Sequence, residues 1–273
     1  MKLSVVIPCY NAAATLGEQL EALAEQRWDQ AWEVVLADNR STDGSMAIAA
    51  SFASRLPNLR VVDASLRQGQ PFALNAGAEA AHGDALAFCD ADDVVGKGWV
   101  AAMGHALAHH EFVACRTDIA MLNSPAVQRT RRNAQGHGLQ AYTNPPFLPH
   151  AGGGTLGVRR ALHDTDYCWR LQESGVRLTF VPEALTHVRY RDTARGNYLQ
   201  AKSYGEYNVL LYRRYRHHGM PPVDWRRGVK GWLTLAMGIP LLYRPQARLL
   251  WMRRLGWRMG RLQGSLKHRV FAL

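Results

Sequence analysis

The sequence lacks several features that would point to other classes of protein. Its four cysteines, Cys9, Cys89, Cys115 and Cys168, form no CxxC pair and lie in or beside apolar runs, which favours buried thiols over zinc sites or disulfides. No uninterrupted run of about 18 apolar residues is present, so no transmembrane helix is predicted. The N-terminus carries no signal-peptide pattern, and we expect a cytoplasmic protein. No GxGxxG follows the first predicted strand, which argues against a dinucleotide-dependent dehydrogenase.

Acidic residues are scarce in the C-terminal part of the chain. The 273 residues carry a net charge of +11. Residues 1–185 have a net charge of −4, whereas residues 221–273 hold 11 Lys and Arg side chains and only one acidic side chain. This asymmetry predicts an anionic partner, either membrane headgroups or nucleic acid.

The spacing of apolar residues predicts alternating strands and helices in the first 110 residues. Strands are predicted over 3–10, 33–38, 59–64 and 84–93, and helices over 12–27, 46–54, 71–81 and about 97–110. A further strand (112–122), a long loop (123–155), a helix (164–175) and a strand (177–182) follow. The alternation predicts an α/β fold with a mostly parallel sheet, whose ligand lies beyond the carboxyl ends of the strands.

Two carboxylates close the fourth predicted strand, in the sequence Asp90-Ala91-Asp92. Alternate residues of a strand face the same way, so both carboxylates can approach one cation. Mg²⁺ and Mn²⁺ prefer such oxygen ligands and can stabilise the charge on a diphosphate leaving group. A solvated acidic turn is the alternative interpretation.

The other predicted strand ends also carry polar side chains. Asp38 could accept hydrogen bonds from a base or ribose, or could cap a turn. Tyr10, next to Asn11, could pack on a nucleobase or on the edge of the core. Asn75 and Gly77 lie just before the fourth strand, where helix-start chemistry is the alternative to ligand binding.

Three segments together resemble glycosyltransferase family 2. They are VVIPCYNAAATL, VVLADNRSTDGS and GQPFALNAGAEAAHGDALAFCDADD, and they cover residues 3–93, with weaker similarity over 164–191. The resemblance implies the GT-A fold, which is Rossmann-like with a mostly parallel central sheet and flanking helices. It also implies inverting, Mn²⁺- or Mg²⁺-dependent transfer of a sugar from a nucleoside-diphosphate sugar, such as a UDP- or GDP-sugar, to a hydroxyl of a glycan or lipid-linked acceptor of the cell envelope.

The resemblance further implies a role for each matching residue. The nucleotide-sugar site would comprise Pro8, Tyr10, Asn11, Asp38, Asn75, Gly77 and Asp90. Asp90 and Asp92 would hold the metal, which His187 could also approach, and Asp164 would be the general base. Asp164 also fits the N-cap of the helix that it precedes, and both roles are compatible.

The sequence departs from the family pattern just before Asp164. Residues 161–163 join Arg160 directly to Asp164, where family members usually have a longer segment, and His163 replaces the glutamate that normally precedes the base. The missing segment normally shapes the acceptor side. A non-catalytic nucleotide-sugar-binding homologue therefore remains an alternative.

The C-terminal residues 249–271 combine an apolar stripe with arginines. Apolar residues recur at helical spacing, and Arg253, Arg254, Arg258 and Arg261 occupy much of the remaining surface. We predict a GT-A domain over 1–195 and a helical, basic extension over 196–273 that lies on the anionic inner face of the cell membrane. An ordinary packed helix is one alternative. A nucleic-acid-binding tail is another, but it leaves the strand-end carboxylates unexplained, and no nucleic acid is expected as a partner.

Overall fold

A computed structural model describes residues 1–131, 133, 135–140, 148, 163–221 and 224–272. These residues form two compact units. The first unit comprises the described residues of 1–122, 133–140 and 148–189, and the second comprises those of 123–131 and 190–272. The domain boundary that we predict at residue 195 remains a proposal.

The elements of both units, in chain order, are as follows. They are β1 (Leu3–Cys9), α1 (Leu16–Ala24), β2 (Trp32–Asp38), α2 (Ser45–Ser51), β3 (Leu59–Asp63), α3 (Gln70–Glu79), β4 (Ala85–Phe88), β5 (Val94–Val95), α4 (Trp99–Leu107), β6 (Phe112–Asp118), α5 (Pro125–Gln128), α6 (His163–Glu173), β7 (Leu178–His187), α7 (Ala194–Tyr215), α8 (Trp225–Met237) and α9 (Pro245–His268).

A parallel four-stranded sheet, in the order β3-β2-β1-β4, forms the centre of the first unit. All seven residues of β1 are buried, which explains its nearly continuous apolar sequence. Helix α3 packs closely on the sheet at Gly77, where a Cβ atom would lie 2.5 Å from Cγ1 of Val6. The predicted α/β fold is therefore confirmed.

A second sheet, in the order β5-β7-β6, corrects two sequence predictions. Strand β4 ends at Phe88 rather than at Asp93, because the chain leaves the first sheet and β5 pairs antiparallel with β7. Asp90 and Asp92 therefore lie in the turn between the sheets, not within a strand. Strand β7 continues beyond the predicted residue 182 because it pairs with both β5 and β6, and His187 is its last residue.

Helices make up the second unit. Helix α5 falls within the predicted loop 123–155, and Ser124 caps it by accepting a hydrogen bond from the N–H of Val127. Helices α7 and α9 meet backbone to backbone: a Cβ atom at Gly260 would lie 1.9 Å from the carbonyl oxygen of Lys202. Within the described part of the chain, no helix combines the length and apolar character needed to cross a bilayer.

Candidate functional site

The predicted site residues of the first unit gather at one edge of the parallel sheet. Cys9, the last residue of β1, pairs with Asp38, the last residue of β2, and Val6 pairs with Phe88 at the end of β4. Asp90 follows Phe88 by two residues. The polar ends of three neighbouring strands thus meet at the edge where open α/β sheets bind their ligands.

Four side chains hold the turn that carries Asp90 and Asp92. Gln19 donates from Nε2 to the carbonyl oxygen of Asp90 at 3.1 Å, and Thr15 donates from Oγ1 to that of Ala91 at 3.1 Å. Gln70, at the start of α3, donates from Nε2 to Oδ1 of Asp90 at 2.7 Å. Arg189 donates from Nε to the carbonyl oxygen of Asp92 at 2.9 Å. The turn is therefore positioned before any ligand arrives.

The third carboxyl of the turn, Asp93, is buried and has a structural partner. Its Oδ1 accepts a hydrogen bond of 2.8 Å from the main-chain N–H of Arg189. Burial raises the pKa of Asp93 well above its usual value, and the charges of Asp90 and Asp92 raise it further. The raised pKa disfavours the charged form of Asp93, which agrees with a structural role for this side chain.

The ends of β1 and β2 are tied together by Asn11 and Ser41. The Asn11 side chain accepts a hydrogen bond of 2.8 Å from the N–H of Thr42, and the Asn11 N–H donates to Oγ of Ser41 at 3.1 Å. Asp38 accepts from the N–H of Ser41 at 3.1 Å, which is the turn-capping role that we considered as its alternative. Tyr10 is 52% exposed, so its ring is accessible beside this junction.

Pro8 and Gly77, by contrast, are buried. Pro8 lies within β1, and Gly77 lets α3 approach that strand. Packing therefore accounts for both residues, and their predicted place at the ligand stays a prediction. Asn75 lies on the same helix and is half-buried.

His187 is paired with Asp118. Its Nδ1 lies 3.0 Å from Oδ2 of Asp118. Burial disfavours the Asp118 carboxylate, but hydrogen bonds from His187 and from main-chain N–H groups outweigh burial, so the pKa of Asp118 lies below its usual value. In the β5–β7 pairing His187 lies opposite Val94, which follows Asp92 by two residues.

Asp164 lies in the first turn of α6, which begins one residue earlier than predicted, at His163, so Asp164 is inside the helix rather than at its N-cap; its side chain falls outside the described residues. Later in the same helix Trp169 is fully buried and donates from Nε1 to the carbonyl oxygen of Leu148 at 2.8 Å. Arg170 pairs with Asp166 at 3.1 Å. Both residues therefore pack the helix rather than offer a ligand site.

Sequence reasoning missed the side chains that position the site. Asn39 is buried, accepts from the N–H of Gly69 at 2.6 Å and donates to the carbonyl oxygen of Arg67 at 2.9 Å, so it joins the end of β2 to the start of α3. Gln19 is the one polar residue among the buried leucines of α1. A polar side chain at an apolar position of a helix indicates a buried hydrogen bond, and this signal could have identified Gln19. Arg189 offered no local signal, because its partners lie about a hundred residues away or more in sequence.

Similar folds occur in glycosyltransferases of the GT-A class. The mannosyltransferase PcManGT from Pyrobaculum calidifontis, solved with GDP-Man and Mn²⁺, has a TM-score of 0.57 and 18% identity over 97% of this chain and 75% of its own. The glucosyl-3-phosphoglycerate synthase of Mycobacterium tuberculosis, solved with Mn²⁺, UDP and phosphoglyceric acid, has a TM-score of 0.55 and 17% identity over 81% of this chain and 80% of its own. The two likenesses show the fold.

The sequence comparison identifies the family. Residues 4–166 match Glycosyl transferase family 2, and the chain belongs to that family. "Uncharacterized glycosyltransferase YibD" of Escherichia coli (strain K12) is 40% identical over 94 residues, which are 34% of this chain and 27% of that relative. The match thus spans about a quarter of the relative's length. The family resemblance carried by residues 3–93 is confirmed.

Proposed function

We propose that this protein transfers one sugar from a nucleoside-diphosphate sugar to a hydroxyl of a glycan or lipid-linked acceptor, with inversion. The observation that carries the proposal is the turn of Asp90 and Asp92, held at the carboxyl edge of the parallel sheet beside the ends of β1 and β2. Membership of a glycosyltransferase family supports it. So does the similar fold of a mannosyltransferase solved with GDP-Man and Mn²⁺.

A divalent ion, Mn²⁺ or Mg²⁺, fits the donor set at this turn. Such ions commonly bind one or two carboxylates and take further oxygens from substrate phosphates. Asp90 and Asp92 would provide the carboxylates, since Asp93 is buried against the main chain of Arg189. Among the described residues, no group of three or more His, Cys, Asp or Glu side chains is arranged to hold a metal ion, so a metal-binding role of His187, which pairs with Asp118, stays a prediction. The bound ion would neutralise charge on the diphosphate leaving group.

The ends of β1 and β2 provide the proposed base and ribose site. The exposed ring of Tyr10 can stack on a base, and the half-buried carboxylate of Asp38 can accept hydrogen bonds from ribose hydroxyls. Asn11 and Asn75 add amide groups, and Pro8 and Gly77 shape the backbone beneath. Pre-positioned polar groups of this kind lower the ordering cost of binding.

Asp164 is the proposed general base. Its carboxylate would take the proton of the acceptor hydroxyl while the hydroxyl oxygen attacks the anomeric carbon. The bond from that carbon to the diphosphate oxygen breaks on the opposite face, and this single displacement inverts the configuration. The first turn of α6 is a favourable place for a carboxylate, because the helix dipole also stabilises negative charge there.

The second unit supports a peripheral contact with an anionic membrane, through α8 as well as α9. Trp225, Val229 and Leu233 lie on one exposed face of α8, and Arg226 and Lys230 border that face. Helix α9 packs on α7 through Gly256, Gly260 and Gly264. This packing fits the alternative interpretation of its sequence, an ordinary packed helix. Contact of α9 with the membrane stays a prediction.

Calorimetric titration with UDP and GDP, with and without Mn²⁺, tests the donor site. We expect one nucleotide to bind in a Mn²⁺-dependent way, and the Asp92→Ala variant to lose that binding while it remains folded. Asp29→Ala is the matched control, because Asp29 is an exposed carboxylate that precedes β2 instead of following the carboxyl end of a strand. If neither nucleotide binds the folded wild type, the proposal is wrong.

A transfer assay with Asp164→Asn separates catalysis from binding. We expect the variant to bind the nucleotide with unchanged affinity and to lose sugar transfer by a factor of about 100 to 10,000. Nucleotide binding without donor turnover in the wild type would instead favour the non-catalytic homologue. Salt-sensitive binding of DNA or RNA without nucleotide binding would favour the nucleic-acid alternative.

A further inference from the structure

A cavity of about 390 Å³ lies within the second unit, and four of its nine lining residues are arginines. Its lining comes from α7, from α9 and from Arg131, which follows α5, so it belongs to the second unit alone. No acidic side chain lines it. The residues that matter here are Arg131, Tyr204, Arg253, Arg254, Trp257 and Arg258.

The four arginines have no counter-charge among the described residues. None of them forms an ion pair there. Burial and, to a smaller extent, the charge of Arg253 together lower the pKa of Arg131 to about 10. Burial also lowers the pKa of Arg253. Arg131 remains charged at neutral pH, so its repulsion from Arg253 is relieved only by an anion or by solvent.

Three of these guanidinium groups are held in place while donors remain available. Arg131 donates from Nη2 to Oδ1 of Asn197 at 2.7 Å and lies 4.6 Å over the ring of Tyr190, but its buried Nε–H has no hydrogen-bond partner. Arg253 donates to the carbonyl oxygen of Thr130 at 3.1 Å, and Arg258 donates to that of Gly228 at 3.0 Å. Each guanidinium has five N–H donors, and these bonds use only one of them in Arg253 and one in Arg258, so the others remain for a ligand or for solvent.

The chemistry of this wall selects a ligand rich in oxygen and negative charge. Guanidinium groups bind phosphate through paired hydrogen bonds, and fixed geometry lowers the cost of that binding. The cavity volume lies within the range of small-ligand pockets, at its lower end. We propose that this arginine pocket is a second ligand site, distinct from the strand-end site, that binds a phosphomonoester or diphosphate group.

Two exposed arginines of α9 allow a matched test. Arg254 lines the pocket, whereas Arg248 lies on the same helix outside it. Calorimetric titration with pyrophosphate, without metal, should give one site, whose dissociation constant rises about tenfold in Arg254→Gln and stays unchanged in Arg248→Gln. Arg253→Lys retains the charge but loses paired hydrogen bonds, so it should bind more weakly than the wild type. Asp92→Ala should bind pyrophosphate normally, because its carboxylate belongs to the other site.

A second arm of the test identifies the source of the phosphate. Vesicles of phosphatidylcholine with and without phosphatidic acid are sedimented with each variant. If Arg254→Gln reduces sedimentation with phosphatidic acid and pyrophosphate competes, the ligand is a lipid headgroup. If pyrophosphate binds the protein but does not reduce its sedimentation with either kind of vesicle, the ligand is a soluble phosphate compound. Absence of pyrophosphate binding, or equal weakening by Arg254→Gln and Arg248→Gln, would overturn the proposal.

Discussion

The carbonyl oxygen of Asp92 accepts a hydrogen bond of 2.9 Å from Nε of Arg189, although the two residues lie 97 positions apart. The same guanidinium donates from Nη2 to Oε2 of Glu18 at 2.8 Å. One side chain thus links α1, the end of β7 and the carboxylate turn. Arg189 therefore positions the proposed metal ligands without being one itself.

Replacing Arg189 by glutamine should loosen this turn and weaken Mn²⁺-dependent nucleotide binding. The main-chain bond from residue 189 to Asp93 is retained, so the variant should fold. Loss of a charge-assisted hydrogen bond to a positioned turn predicts a five- to tenfold higher dissociation constant. Calorimetry checks this value. Glu18→Gln is the control, because it weakens only the bond between Glu18 and Arg189. An equal effect in both variants would contradict the positioning role of Arg189.

Glu33 should make the stability of the first unit depend on pH. Its buried carboxylate accepts hydrogen bonds from Oγ of Ser4 at 2.7 Å and from the N–H of His82 at 2.6 Å, and it pairs with Arg60 at 3.1 Å. Burial opposes ionisation, but these partners outweigh it and hold the pKa of Glu33 below its usual 4.5. The stabilisation is therefore complete above that value and is lost as pH falls through the lower pKa of the folded state.

The measurement is urea unfolding of wild type and Glu33→Gln over a range of pH. At pH 7 we expect the variant to lose about 1–3 kcal/mol of unfolding free energy. The difference should narrow as the pH falls below 4.5, because the wild-type carboxylate becomes protonated only below that value. Glu79→Gln serves as the control, since Glu79 is exposed on α3. A difference that stays constant with pH would mean that packing, not charge, explains the loss.

Local sequence determined much of the sheet and of its functional edge. Strands β1 and β2 follow from their apolar, β-branched runs, and the polar residues after them fall where a parallel sheet binds ligands. The turn at Asp90 was not predictable in the same way. Strand β4 stops early because Val94 pairs with His187, and this long-range pairing leaves no periodic signal.

The C-terminal helix α9 shows a second reason why the sequence alone could not predict the whole structure. Gly256, Gly260 and Gly264 recur every four residues, yet the arginines and large apolar residues between them suggested an amphipathic surface helix. In the structure the three glycines are the buried residues of α9. The sequence of α9 alone does not show which element packs against this glycine stripe. In the structure the partner is α7, where Gly205 lets the backbone of α9 come equally close.

Gly260→Ala should separate α7 from α9. The new Cβ atom would lie 1.9 Å from the carbonyl oxygen of Lys202, which is backbone and cannot turn away. We expect a loss of about 3 kcal/mol and faster amide hydrogen exchange in both helices. Gly17→Ala in α1 is the matched control, because its Cβ would meet Cγ2 of Ile48 at 3.9 Å, and alanine is favoured in helices by about 1 kcal/mol. Unchanged exchange in Gly260→Ala would contradict the close helix contact.

Membrane binding through α8 should require its exposed apolar face. Leu233 is 59% exposed and Met237 is 72% exposed, and both lie beside the basic edge of the helix. Replacing both by serine should reduce sedimentation with vesicles of phosphatidylcholine and phosphatidylglycerol by on the order of tenfold, because apolar burial in the headgroup region is lost. Leu66→Ser is the control, since Leu66 is 97% exposed in the first unit.

Added salt should weaken the wild-type interaction without abolishing it, because salt screens the basic residues but not the apolar contact. Complete loss in salt, with no effect of the serine substitutions, would show that charge alone attracts the helix and that the apolar face has another role.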